Sequence, residues 1–198
     1  MSGIVETMRQ EIISRSDSFE EKTKGTKEEY NLYREHVRIV HQYVMLLSEG
    51  SGADREVLEL SALLHDISMT DGSLDRSKHN EYSASIAEGL LRLQSCPEEK
   101  IQLVKKCVLN HSSKRAGYRT TKEEQILVDA DGLSHFDMIH SIYSLAHNVM
   151  ELNDADALLF IQDKLTRDYL EISEGLKYLI QDKYDRVMRA ETIDDLGI

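Results

Sequence analysis

From Asp54 to Ile67 the chain reads Asp-Arg-Glu-Val-Leu-Glu-Leu-Ser-Ala-Leu-Leu-His-Asp-Ile. Asp54 is suited to cap a helix over 55–67. Val57, Leu58, Leu60, Ala62, Leu63 and Leu64 make that helix apolar around much of its circumference. Such a helix belongs inside a protein, so the remaining chain must wrap it. At its end stand His65 and Asp66, and burying an ionisable carboxylate is expensive unless a cation or hydrogen bonds answer it. The candidates to do so are His36 before the pair and His79, His111 and Asp131 after it, each at the edge of a separate apolar stripe. That scatter is what a site assembled across a helical bundle leaves in sequence. A bundle whose histidines are unrelated and bind no metal leaves the same scatter, so both readings stand at this point.

The wrapping elements also read as helices. The chain has a single proline and is rich in Leu, Glu, Lys and Asp, and no β-alternation is long enough to matter, which predicts an all-α fold. With 198 residues, 40% hydrophobic and 30% charged, one domain with a sizeable core is expected. Within it, residues 1–27 read as an N-terminal helix and linker, 28–137 as the core, and 138–198 as C-terminal helices packing on that core. The spacing of apolar residues predicts helices over 2–21, 28–49, 55–67 and 78–93. Ser95 and Glu98 fit a capping box for the next, which carries Ile101, Val104 and Val108 toward His111. Thr120 or Thr121 should cap a helix holding Ile126, Leu127, Ala130, Asp131 and Leu133, and two further helices are expected near 135–152 and 155–189.

Imidazole nitrogens with carboxylate oxygens form a borderline-to-hard ligand set, suited to Mn, Fe, Co, Ni or Zn and less well to Mg. Two of each leave open positions on a six-coordinate ion for water and a phosphate oxygen, where the metal lowers the pKa of the water and polarises phosphorus.

The motifs that carry these residues resemble the HD-domain phosphohydrolase superfamily. His36-Val-Arg-Ile-Val40 is similar to its first-histidine helix, the run ending Leu-Leu-His65-Asp66-Ile to its signature helix, and Val-Asp-Ala-Asp131-Gly-Leu to its terminal acidic motif. The likeness covers about 30–137. It implies a helical bundle of the HD-domain type in which His36, His65, Asp66 and Asp131 bind one divalent ion. The activity it implies is hydrolysis of a phosphoester or phosphoanhydride bond by attack of metal-bound water, on a small phosphorylated substrate such as a nucleotide, with Asp66, His79 and His111 catalytic. Lys78-His-Asn-Glu-Tyr and Leu109-Asn-His111 are similar to segments that some members use for a second metal or for phosphate. His79 and His111 are thus ligands of a second ion, or phosphate contacts together with Lys114 and Arg115, with Arg119 in the same basic loop. Departures remove support from particular activities. The Glu-Asp pair of guanosine tetraphosphate hydrolases is absent, Ser68 and Met69 occupy the region of the lysine in cyclic-di-GMP phosphodiesterases, and Met69 stands where 5′-nucleotidase members carry glutamate. A di-iron oxygenase is a further alternative, and a non-catalytic regulatory or dimerisation module with a structural metal is the main rival. In that rival the tail including Leu170–Met188 is an interaction surface, with a homodimer as the assembly expected.

Secondary residues have plainer readings. Arg38 and His41 are expected on the surface, Asp129 as a capping or surface group, His140 and His147 as structural, and His135 as a group able to orient Asp131 from one turn away. Lys164 and Arg167 have no assigned relation to the site. The net charge of −12 argues against a nucleic-acid polymer as partner. The first ten residues lack a signal-peptide pattern, no apolar stretch reaches the ~20 residues of a membrane span, and Cys96 and Cys107 suggest no disulfide framework. A cytoplasmic location is the expectation.

Overall fold

The computed structural model describes residues 3–198, with the backbone alone for Ser113 and Lys114. Among the described residues there are helices and turns but no strand, as the composition predicts. The helices are α1 (Gly3–Thr23), α2 (Arg38–Ser48), α3 (Arg55–Leu64), α4 (His79–Leu93), α5 (Glu98–Asn110), α6 (Lys122–His135), α7 (Ile139–Ser144), α8 (Asp154–Glu171) and α9 (Gln181–Arg189). None is long and apolar enough to cross a membrane.

Helix α3 is the central element. Asp54 caps it by accepting from the backbone N–H groups of Glu56 and Val57 at 3.0 and 3.2 Å. Every residue from Val57 to Leu64 is buried, and α1, α2, α4, α5 and α6 surround it. Full burial of each large side chain contributes about 1.5–3 kcal/mol, so α3 anchors the whole bundle. A second apolar cluster joins the end of α6 to α7, α8 and α9 through Leu133, Ile142, Ile161, Leu165 and Val187. Tyr43 and Leu47 of α2 pack against both clusters.

Several boundaries differ from the sequence expectation, most of them for a tertiary reason. The helix expected over 28–49 begins only after Asn31. Asn31 donates to Asp17 and Glu20 of α1, and its side-chain oxygen accepts from the Arg34 N–H at 3.0 Å, acting as a cap. The next turn, Tyr33–Val37, is a π-helix carrying His36, an arrangement common at functional sites. The Ser95–Glu98 capping box does not form. Ser95 lies in the left-handed region at φ 54 and closes the end of α4, while Glu98 pairs with Arg92. Thr121, by contrast, makes the expected cap, and Glu124 completes a capping box with it.

The chain over 135–152 turns at Phe136–Met138 and ends in a second π-helical turn, Leu145–Val149. Helix α8 stops at Glu171 because Ser173 donates its backbone N–H and its hydroxyl to Asp129, each at 2.8 Å. Asp129 is therefore a buried fastening and not a surface group. His41 is likewise buried, between Arg9 and Glu59. Arg38, His140 and His147 are exposed.

Candidate metal centre

His65 and Asp66 fall at the C-terminal end of α3, where regular helix gives way to a 3₁₀ turn over Ile67–Thr70. Two serines fix that turn against α4: the Ser68 N–H donates to Ser83 Oγ, and the Ser68 hydroxyl donates to the His79 carbonyl. His36 arrives from the π-turn before α2, His79 from the first residue of α4, His111 from just beyond α5 and Asp131 from inside α6. The side chains gather into two groups, His36 with His65 and Asp131, and Asp66 with His79 and His111.

Asp66 joins the two groups. Its Oδ2 lies 3.6 Å from His36 Nε2 and 3.8 Å from His65 Nε2, whereas its Oδ1 lies 3.4 Å from His111 Nε2 and 3.6 Å from His79 Nε2. Asp131 Oδ1 sits 3.3 Å from His36 Nε2 and 3.7 Å from His65 Nε2. One carboxylate oxygen faces each histidine pair.

The tautomers follow from the outer hydrogen bonds. His65, His79 and His111 donate from Nδ1 to the carbonyls of Ala62, Arg76 and Val108 at 2.9, 3.0 and 2.6 Å. Each ring thereby turns Nε2 toward the centre, where a neutral imidazole offers a lone pair. His36 Nδ1 instead meets Met138 Sδ at 3.2 Å.

The result is a concentration of imidazole nitrogens and carboxylate oxygens around one centre. His36 and His65 bring Nε2 atoms to 2.9 Å, and His79 and His111 to 3.3 Å. Asp66 Oδ1 and Asp131 Oδ1 are buried with no hydrogen-bond partner. Lone pairs and anionic oxygens so arranged repel one another unless a cation lies among them, so the residues fit a divalent metal.

In the metal-free site the charge states of the histidines divide. Burial lowers the His65 pKa to about 4, keeping the imidazole neutral. At His111 burial also favours the neutral ring, but the Asp66 carboxylate outweighs it and raises the value. Burial raises the carboxyls of Asp66 and Asp131, and the surrounding histidines more than reverse this, so both are held ionised, well below the ordinary carboxylate range.

A cavity of about 420 Å³ opens over these groups. Its polar floor includes His36, Asp66, His79, His111, Asp131 and His135, and its apolar wall includes Tyr30, Leu32, Ile142 and Val149.

In the basic loop after His111 the two arginines have partners within the protein. Arg119 is half-buried and donates to the carbonyls of Asn110, His111 and Ser112 and to Glu171, so it holds the segment carrying His111 in place. Arg115 donates to Asn110 and lies over the Tyr118 ring. The side chain of Lys114 lies outside the described residues.

His135 does face Asp131, with Nε2 3.7 Å from Oδ1, and its Nδ1 is 2.9 Å from Asp168 Oδ2. Lys164 and Asp168 of α8 line the cavity and had no place in the sequence reading. One signal was present: Asp168 falls on the apolar stripe of α8 with Ile161, Leu165 and Ile172, and a carboxylate on a buried stripe needs partners.

This set of four histidines and two aspartates, carried on a helical bundle, coincides with a known pattern. The HD domain model matches residues 33–135, just over half of the chain. The chain belongs to the HD-domain family, the superfamily of metal-dependent phosphohydrolases. It is also similar to a protein of Clostridium beijerinckii described as uncharacterized, at 26% identity over 122 residues, which are 62% of this chain and 74% of that relative. No solved structure matches it.

Proposed function

We propose that this protein is a metal-dependent phosphohydrolase that cleaves a phosphoester or phosphoanhydride bond of a small phosphorylated molecule, most naturally a nucleotide. The observation that carries the reading is Asp66, whose two oxygens face two separate histidine pairs at the floor of a cavity. His36, His65, Asp66 and Asp131 would hold one divalent ion, and Asp66, His79 and His111 a second. Ions bound there polarise a phosphoryl oxygen and lower the pKa of coordinated water.

The protein's own groups supply the rest. The backbone carbonyls behind His65, His79 and His111 fix the direction of each imidazole before substrate arrives. The buried carboxylates of Asp66 and Asp131 stay ionised at neutral pH and offset the charge of the ions. The wall of Tyr30, Leu32, Ile142 and Val149 excludes water and offers an apolar surface to the organic part of the substrate, as a nucleobase would need. The N and O ligand set favours Mn, Fe, Co, Ni or Zn over Mg. In this reading the protein acts in the cytoplasm, alone or as a homodimer.

The test is phosphate release from a panel of nucleotides and other phosphomonoesters by metal-loaded protein. Release that depends on the divalent ion, and is lost in His65→Ala, supports the proposal. Protein that retains its metal yet hydrolyses nothing in the panel contradicts it.

A further inference from the structure

The family match ends at residue 135, yet the cavity continues onto α8. There Gly132 of α6 allows a close approach. A Cβ at that position would stand 3.1 Å from Ile172 Cγ1, and the carbonyl of Asp168 is also near. The approach brings Asp168 and Lys164 against His135. Asp168 Oδ2 lies 2.9 Å from His135 Nδ1 and 3.2 Å from Lys164 Nζ. Burial raises the Asp168 carboxyl, but His135 and Lys164 outweigh that and keep it low, so it is ionised.

An ionised carboxylate at 2.9 Å requires that His135 Nδ1 carry a hydrogen, and Nδ1 then cannot accept from Lys164. The Lys164 ammonium has three donors. Asp168 accepts one, and among the described residues the acceptor that remains within reach is His135 Nε2 at 3.4 Å. The ammonium is thus fixed in place with donor capacity left over, and it lines the cavity whose floor holds the metal ligands. The other lysine lining the cavity, Lys27, is engaged with Glu151 at 2.5 Å on the exposed rim. A compact point charge on a tethered stem is suited to a phosphoryl oxygen.

We propose that Lys164 is a substrate-binding residue that donates hydrogen bonds to the phosphoryl group, with Asp168 and His135 as its positioning residues. The inference rests on the phosphohydrolase reading for the identity of the ligand. It adds a binding group from outside the matched domain, and it makes α8 part of the site.

The experiment measures inorganic phosphate binding to metal-loaded protein by calorimetry, for wild type, Lys164→Met and Lys164→Arg. Metal content and melting temperature are recorded alongside. Loss of one hydrogen-bonded charge weakens phosphate binding about ten- to a hundredfold in Lys164→Met, while Lys164→Arg keeps the charge and recovers most of the affinity. Equal affinity in wild type and Lys164→Met overturns the proposal, as does equal weakening by both substitutions. A loss of metal in Lys164→Met that accounts for the weakening also overturns it, because the lysine then serves the metal site. So does metal-loaded wild type that binds no phosphate. Phosphate binding that depends on Lys164, in a protein that hydrolyses no phosphoester, sustains the role of Lys164 and sinks the catalytic reading alone.

Discussion

Replacing Asp66 with asparagine separates the two things this carboxylate does. The substitution keeps the shape of the side chain but removes the charge shared by both histidine pairs and replaces one acceptor oxygen with a donating amide. With its oxygens 3.4–3.8 Å from all four Nε2 atoms, Asp66 cannot be bypassed by either ion. A metal at one hundred times its Kd stabilises the folded state by about 2.7 kcal/mol. For a chain of this size that raises Tm by roughly 5–11 °C. If the asparagine weakens metal binding about a hundredfold, the same metal concentration contributes only about 0.4 kcal/mol, a shift of ~1–2 °C. The assay is a melting curve of metal-stripped protein with and without added Mn²⁺ or Zn²⁺, for wild type and Asp66→Asn. An equal metal-induced shift in the two proteins refutes the shared role of Asp66.

Two further outcomes are expected. Metal-free protein should lose stability as pH falls from 6.5 toward 4. Burial holds the His65 pKa in the fold at about 4 against the ordinary 6.5, so the unfolded chain takes up that proton first, and the term is intact above 6.5. Its loss amounts to roughly 3 kcal/mol, or ~6–12 °C in Tm. His111, raised in the fold, acts in the opposite sense only above 6.5, and the lowered carboxyls of Asp66 and Asp131 act only below about 4. A melting temperature unchanged between pH 6.5 and 4 contradicts this. Second, Glu124→Ala should destabilise the protein by roughly 3 kcal/mol. The buried Glu124 carboxylate accepts from Asn110 Nδ2 at 2.7 Å and from the N–H groups of Thr120 and Thr121 at 2.9 Å. All three donors lose that partner, and urea unfolding reads the difference.

Most local signals in the sequence held, the Ser95–Glu98 box excepted, and long-range ones were silent. The Asp54 cap, the Thr121 cap and the apolar surface of α3 depend on residues within a turn or two of one another, and each formed as its spacing implies. The ligand candidates were also legible, because His65 and Asp66 end a helix too apolar to be exposed. What stayed hidden were pairings set by how helices approach. Asn31 ends the preceding coil because Asp17 and Glu20 of α1 reach it. Asp129 is buried because Ser173 comes to it from 44 residues away. His41 is inside because Arg9 and Glu59 meet it there. The failure of Ser95 as a cap is instead a contest between two local signals, since the close of α4 at Arg92 uses that residue first. Lys164 and Asp168 enter the site only because Gly132 lets α8 come close to α6.

The central claim is that the acceptors gathered around Asp66 are the ligands of divalent metal. Elemental analysis of the purified protein, after reloading with Mn²⁺ or Zn²⁺ and desalting, tests it most directly. The account predicts two ions per chain in wild type, one in His111→Ala, and almost none in Asp66→Asn. Wild-type protein that emerges without tightly bound divalent metal contradicts it.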